Sequence, residues 1–127
     1  MQFFTVPNII PVNTVMNATI NSSPLNLIRT INFAIQIVFT GTPTGSFQLQ
    51  ASCDPGAASA ATFQQTTVNN PVNWTNIGSS TSVNAAGSVI WNIVDVGYNW
   101  VRVVYTDSSG GSATSTITVS TFSGKNI

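Results

Sequence analysis

Residues 31–53 read INFAIQIVFTGTPTGSFQLQASC, in which two stretches of alternating apolar and polar residues flank a short turn sequence. In the first stretch every second residue is large and apolar: Ile31, Phe33, Ile35, Ile37 and Phe39. The second stretch alternates in the same way and places Phe47, Leu49, Ala51 and Cys53 on one side. This period of two predicts β-strands with one buried face. Since Gly41, Pro43 and Gly45 favour a tight connection, the sequence predicts a hairpin whose two apolar sides share one core.

The C-terminal half shows the same kind of alternation. The strand predicted at 98–106 places Val101, Val103 and Tyr105 on one side, and a turn at 107–112 predicts a second hairpin with residues 114–120. Shorter strands are predicted near residues 14–20, 63–68, 73–77 and 88–93. Antiparallel strands at this spacing are typical of a β-sandwich, either a jelly roll or an immunoglobulin-like domain.

The composition agrees with an all-β domain. The 127 residues include 26 Val and Ile but three Leu, a bias that favours pleated sheets over helices. Six side chains are charged and they balance to a net charge of zero. So few Lys and Arg exclude a nucleic-acid-binding protein, which needs cations for its phosphate contacts. A hydrophobic content of 43 % excludes a disordered chain.

The N-terminal segment predicts a separate arm. Prolines at positions 7, 11 and 24 interrupt residues 1–24, so we expect an extended arm here and a single β-sandwich domain over residues 25–127. Because Pro7 and Pro11 have no N–H to donate, the arm is either a sheet edge or lies across another surface. The arm is expected to contribute little to the core and to contact other chains through Phe3, Phe4, Ile9 and Ile10. Because prolines and asparagines interrupt its apolar residues, we expect this segment to be neither a signal peptide nor a membrane-spanning stretch.

The residues for catalysis are scarce. The chain has no His, which is the commonest general base and metal ligand. Asp54 and Asp107 lie in turn sequences, where Asp side chains bind nearby backbone N–H groups. The sequence therefore predicts no catalytic, cofactor or metal site. Cys53 is expected to be a small buried residue at a strand end, with an intermolecular disulfide or a reactive thiol as the alternative.

The aromatic residues allow two interpretations. Trp and Tyr side chains either pack in the core and at interfaces or form a platform for sugars. Trp100 and Arg102 share the side of their strand that faces away from the predicted core, where the guanidinium can stack on the indole. We expect this side to contact a partner outside the domain.

Part of the sequence, roughly residues 41–122, resembles small structural proteins of tailed bacteriophage particles. The similar segments are residues 47–52, Asn73-Trp74-Thr75, the stretch 97–106, a turn of Ser and Gly, and residues 116–119. Capsid-decoration and head-fibre proteins, and some tail-associated domains, are similar in this order of elements. The resemblance implies a non-enzymatic virion protein, made in the host cytoplasm and carried on the particle.

Two functions follow as expectations. The first is a capsid decoration or auxiliary protein that binds the major capsid protein as a homotrimer or homodimer, with neither a nucleic acid nor a membrane as partner. A near-neutral surface favours such association. The second is a β-sandwich module of a fibre or tail that binds a receptor or carbohydrate. The second function requires two or more exposed, coplanar aromatic rings beside amide side chains, whereas the first requires buried or interface aromatics.

Overall fold

The computed structural model of the chain describes residues 2–27, 29–55 and 71–126. Its strands are β1 (Gln2–Pro7), β2 (Thr14–Val15), β3 (Ile20–Asn21), β4 (Leu25–Asn26), β5 (Thr30–Phe39), β6 (Gly45–Ser52), β7 (Thr75–Val83), β8 (Gly87–Ile93), β9 (Trp100–Asp107) and β10 (Thr116–Asn126). These ranges contain no helix, so the predicted all-β class is confirmed. The short strand expected at 63–68 lies outside the described residues.

The strands form two antiparallel sheets that pack face to face, and this confirms the β-sandwich. The first sheet has the order β1-β10-β5-β8, with β2 also beside β10. The second has the order β3-β9-β6-β7, with β4 also beside β9. The predicted core residues of both sheets are buried in a single cluster, which includes Phe33, Ile35, Ile37, Phe47, Leu49, Val101, Val103 and Tyr105.

The pairing of the strands is nested. The first strand pairs with the last, β3 with β9, β5 with β8 and β6 with β7. Successive pairs thus lie in alternate sheets, as in a long antiparallel ribbon wound around a core. This winding is the jelly roll, one of the two sandwich types that the sequence allows.

Both predicted hairpins are wrong. β5 belongs to the first sheet and β6 to the second, so residues 40–44 cross from one sheet to the other. Gly41, at φ +77°, makes the turn, and the Thr40 N–H donates to the Thr116 carbonyl at 2.9 Å. β9 and β10 are likewise in opposite sheets. The alternation predicts the buried side of each strand correctly, but that side faces the core whether the next strand is a neighbour or lies across the sandwich.

The N-terminal segment is not an arm separate from the domain, but β1 is an edge strand of the first sheet, one of the two placements that its prolines allow. β1 pairs with β10 from Gln2↔Asn126 to Pro7↔Thr121, and β3 pairs with β9. After Pro7 the chain turns inward at Asn8, whose φ is +55°. Ile9 and Ile10 then enter the core, with 2 % and 1 % of their surface exposed. The predicted boundary at residue 24 therefore does not exist, because the described residues before and after it belong to one sandwich.

Candidate functional site

The outer surface of the first sheet, which we call the first-sheet face, consists of the side chains that alternate with the buried ones. The register places Phe3 beside Lys125 and Asn32, and Pro7 beside Thr121, Gln36 and Ile90. The row of residues between these two consists of Thr5, Ser123, Ala34 and Asn92. The row on the other side of Thr121 consists of Val119, Val38 and Ser88. Lys125 is thus the one charged side chain on the described strands of this face.

Large apolar side chains are exposed on this face. Phe3 is 68 % exposed, Ile90 66 % and Val119 42 %, while Val94, just after β8, is 60 % exposed. The remaining side chains of this face are mostly neutral hydroxyl and amide groups, so the face has few charged groups that could bind a charged ligand. Exposed apolar side chains on a single sheet face are typical of a protein contact surface.

A shallow hollow of about 330 Å³ lies at one corner of the first-sheet face, between Phe3, Asn32, Asn92 and Val94. The Lys125 Nζ is 5.0 Å from the centroid of the Phe3 ring, which places the ammonium over the aromatic face. Asn32 Oδ1 accepts a hydrogen bond from the Asp95 N–H at 3.1 Å and thereby fixes the loop beside the hollow. The exposed Phe3 ring thus lies next to an ammonium group, and the loop across the hollow is fixed by Asn32.

The four predicted contact residues of the N-terminal segment do not lie together. Phe3 is exposed on the first-sheet face, but Phe4 points the other way and packs on Phe122 with ring centroids 5.7 Å apart. Ile9 and Ile10 are buried in their own chain, so their assignment to an intermolecular contact is wrong. The physical reason is the left-handed turn at Asn8, which a prediction based on prolines and apolar residues does not include.

Trp100 and Arg102 lie on the outer side of the second sheet, as predicted, but they do not form one exposed site. Trp100 is fully buried and its indole N–H donates to the Pro55 carbonyl at 3.1 Å. The Arg102 guanidinium lies 4.4 Å from the ring centroid of Trp74 instead. The predicted stacking of Arg102 on Trp100 is therefore wrong. The indole that Arg102 contacts belongs to Trp74, which precedes β7, and the alternation within β9 does not predict that contact.

Arg102 and Trp74 belong to a polar patch, which we call the Trp74 patch, with Gln50 and Asn76. The Arg102 Nε donates to Gln50 Oε1, and Gln50 Nε2 donates to Asn76 Oδ1, both at 2.8 Å. Other large aromatic side chains of the described chain pack elsewhere. Trp91 contacts Phe47 edge-on at 6.2 Å, and Tyr98 contacts Phe33 at 6.5 Å. The patch thus presents one indole beside its amide groups.

A second hollow, of about 430 Å³, lies beside the end of β6 and is lined by Cys53, Asp54, Asn73 and Tyr98 among others. The Asp54 carboxylate accepts hydrogen bonds from the N–H groups of Val72 and Asn73 and from Asn73 Nδ2, at 2.7–2.9 Å. These bonds, the Asn73 side chain first, lower the pKa of Asp54 to about 2. The carboxylate is therefore ionised and saturated with donors, which suits a structural role rather than acid–base catalysis.

Asp107 has the same structural role at the turn between β9 and β10. Its carboxylate accepts hydrogen bonds from the Ser109 N–H at 2.9 Å and from the Gly111 N–H at 3.0 Å. The expected turn function is confirmed for Asp107, whereas Asp54 binds the N–H groups of Val72 and Asn73, 18 and 19 residues away, and so connects two distant segments. Cys53, by contrast, is exposed beyond the end of β6, so its predicted burial is wrong. In the described ranges no three His, Cys, Asp or Glu side chains cluster as metal ligands would.

Comparison with known proteins adds no assignment. No model of a known protein family matches the chain, and no curated protein matches it. Within residues 2–27, 29–55 and 71–126, no helix is long and apolar enough to cross a membrane.

Proposed function

We propose that this protein is a non-enzymatic structural component of a tailed bacteriophage particle, most simply a capsid decoration or auxiliary protein. It binds the major capsid shell as a small homo-oligomer and is made in the host cytoplasm. The observation that carries the proposal is the first-sheet face, on which Phe3, Ile90 and Val119 are exposed and Lys125 is the one charged side chain of the described strands. A repeated protein lattice offers the broad neutral surface that such a face fits.

The fold and the aromatic residues support the same proposal. Jelly rolls are common in viral capsid proteins, although they also occur in lectins and cupins, so the fold alone does not select the function. Trp100 and Tyr105 are fully buried, and Trp91 packs on the core. This distribution suits a protein that uses its aromatics for packing rather than for a sugar platform.

The Trp74 patch supports one alternative, a module that binds a receptor or carbohydrate. A half-exposed indole beside the amides of Gln50 and Asn76 provides apolar and hydrogen-bonding groups that a sugar ring needs. Screening the purified protein against immobilised glycans, with Trp74→Ala as the control variant, tests this alternative directly. Binding that Trp74→Ala abolishes favours it over the capsid protein.

The capsid function is tested on purified phage particles that lack the chain. Wild-type protein is expected to sediment with the particles, and Phe3→Ser or Val119→Lys is expected to weaken binding at least about tenfold, since each places a polar group in an apolar contact. Val72→Lys is the matched control, because Val72 is 78 % exposed and lies off the first-sheet face. Undiminished binding of the two face variants would contradict the proposal.

A further inference from the structure

The free edges of the two sheets differ in how well they are protected from other strands. Unpaired edges attract further strands, and proteins commonly block them with short strands, prolines, bulges or charges. The edge formed by β3 and β4 consists of two-residue strands with Pro24 between them. The edge at β1 is protected only at its last residue, Pro7, which lacks an N–H and precedes the inward turn of the chain. β7 carries an irregularity, since its register shifts between Phe47↔Thr81 and Leu49↔Ile77, next to Gly78 at φ +72°.

Within residues 2–27, 29–55 and 71–126, β8 has none of these protective features. Its seven residues pair with β5 without a bulge, from Phe33↔Ile93 to Phe39↔Gly87. The strand reads GSVIWNI and has no proline and no charge. On its inner side Val89, Trp91 and Ile93 are only half-buried, although they pack against the core. The core is thus incompletely covered along this edge.

The sequence of β8 is self-complementary in the antiparallel register centred on Ile90. If Ile90 lies opposite Ile90 of a second copy, Val89 of each copy lies opposite Trp91 of the other on the inner side. On the outer side, Ser88 of each copy lies opposite Asn92 of the other. Aromatic and β-branched cross-strand pairs are among the favourable ones, and no like charges meet. Any shift by one residue would place inner side chains opposite outer ones and lose both sets of pairs.

We propose that two copies of this chain pair through β8 in this register and form a symmetric dimer with one continuous first sheet. The inference rests on the homo-oligomer of the proposed function and specifies its interface. A two-fold axis at Ile90 uses the same edge from both copies and therefore closes the assembly. The pairing also joins the two first-sheet faces into one larger surface, which doubles the area that can bind a capsid lattice.

The dimer is tested in solution without particles, by sedimentation velocity in a buffer that contains a thiol reductant. The reductant is needed because exposed Cys53 would otherwise link chains through a disulfide. Wild-type protein is expected at twice its chain mass of 13.4 kDa. Ile90→Lys and Ile90→Glu are each expected to raise the dimer dissociation constant at least about tenfold, because like charges then lie opposite each other. Since Ile90 is 66 % exposed, neither change disturbs the core.

Mixing these two variants tests the register itself. An equimolar mixture of Ile90→Lys and Ile90→Glu is expected to restore the dimer most fully when the two positions 90 meet, because the opposite charges then lie directly across from each other. Val119→Lys introduces the same charge on the same face but away from the edge, so it should remain dimeric while losing attachment to particles. A monomeric or larger wild-type assembly, an Ile90→Lys dimer as tight as wild type, or a mixture that stays monomeric would each overturn the inference. None of these results depends on whether the capsid function is right.

Discussion

Phe47 connects the two sheets through its ring contacts. Its side chain is fully buried, with ring centroids 4.9 Å from Tyr105 in the second sheet and 5.6 Å from Phe39 in the first. Phe47→Ala is expected to lower the free energy of unfolding by about 3–5 kcal/mol, because it leaves a cavity between the sheets. Urea denaturation followed by tryptophan fluorescence measures the change.

Phe3→Ala is the matched control for Phe47→Ala. Phe3 is 68 % exposed, so its removal should change the free energy of unfolding by no more than about 0.5 kcal/mol. Equal denaturation midpoints for the two variants would show that Phe47 is not in the core.

Asp54 provides a pH-dependent prediction. Its pKa of about 2 lies below the value of 3.8 in an unfolded chain, so its hydrogen bonds stabilise the fold above pH 3.8. That stabilisation should disappear as the pH falls from 3.8 towards 2, because the unfolded chain takes up the proton first. Asn73→Ala removes the largest cause of the shift and should move the pKa of Asp54 upwards, as carbon NMR of the carboxyl group can measure.

Asp107 serves as the internal control for this titration. Hydrogen bonds from Ser109 lower the pKa of its carboxyl group, and Asn73 is not among the groups that shift it. The Asp107 titration should therefore be the same with and without Asn73→Ala. A common shift of both carboxyl groups would mean that Asn73→Ala alters the whole fold rather than the local bonds.

Single residues show why the candidate site could be predicted only in part. The buried side of β9 follows from alternation, and Val101, Val103 and Tyr105 are indeed buried. The partner of Arg102 could not be predicted, since Trp74 approaches it from a distant part of the sequence. Phe3 and Ile9 were both predicted to contact other chains, but Phe3 is exposed and Ile9 is buried. The chain turns inward between them at Asn8, which has a left-handed conformation. A single sequence does not show which Asn adopts that conformation.

At the level of strands, Gly45 at the start of β6 is a position where the two central strands of the second sheet approach closely. A Cβ atom there would fall on the Thr106 carbonyl oxygen and on the Tyr105 ring. Gly45→Ala is therefore expected to destabilise the pairing of β6 with β9 and lower the thermal unfolding temperature by several degrees, about what 1 kcal/mol or more produces in a domain of this size.

Gly97→Ala, in the loop between β8 and β9, is the control for Gly45→Ala. No atom lies within 4 Å of a Cβ at Gly97, and its φ does not require glycine. Calorimetry should show little change for this variant. If Gly45→Ala proved equally harmless, the close approach of β6 and β9 at this point would be wrong.

The strands themselves were more predictable than their partners. Period-two alternation identifies β5, β6 and β9 and their buried sides, because one side of each faces the core. Which strand lies beside which is settled by contacts between distant residues, such as the Ser108 N–H with the Thr44 carbonyl at 2.8 Å. Local turn residues therefore predicted hairpins where the chain in fact crosses between sheets.

The scarcity of charge over the whole molecule predicts how attachment responds to salt. With six charged side chains, binding must depend on apolar burial and neutral hydrogen bonds, which salt screens little. Occupancy on particles should change less than about tenfold between low salt and about 1 M sodium chloride, and sulfate should strengthen binding. Sedimentation of particles that carry the bound protein, across a series of sodium chloride concentrations, measures this change in occupancy. Release at moderate salt would instead identify Arg29, Arg102 or Lys125 as anchors on an acidic surface.

The nested strand pairs also have a consequence for the rate of folding. The pairing of β1 with β10 joins residues from Gln2 to Asn126, so it closes a loop of nearly the whole described chain. Long-range pairing of this kind gives all-β sandwiches folding times on the order of milliseconds to seconds. During that time β8 and its neighbours are without partners, and they carry no charge to keep two unfolded chains apart. Refolding should therefore compete with aggregation, and its yield should fall as the protein concentration rises.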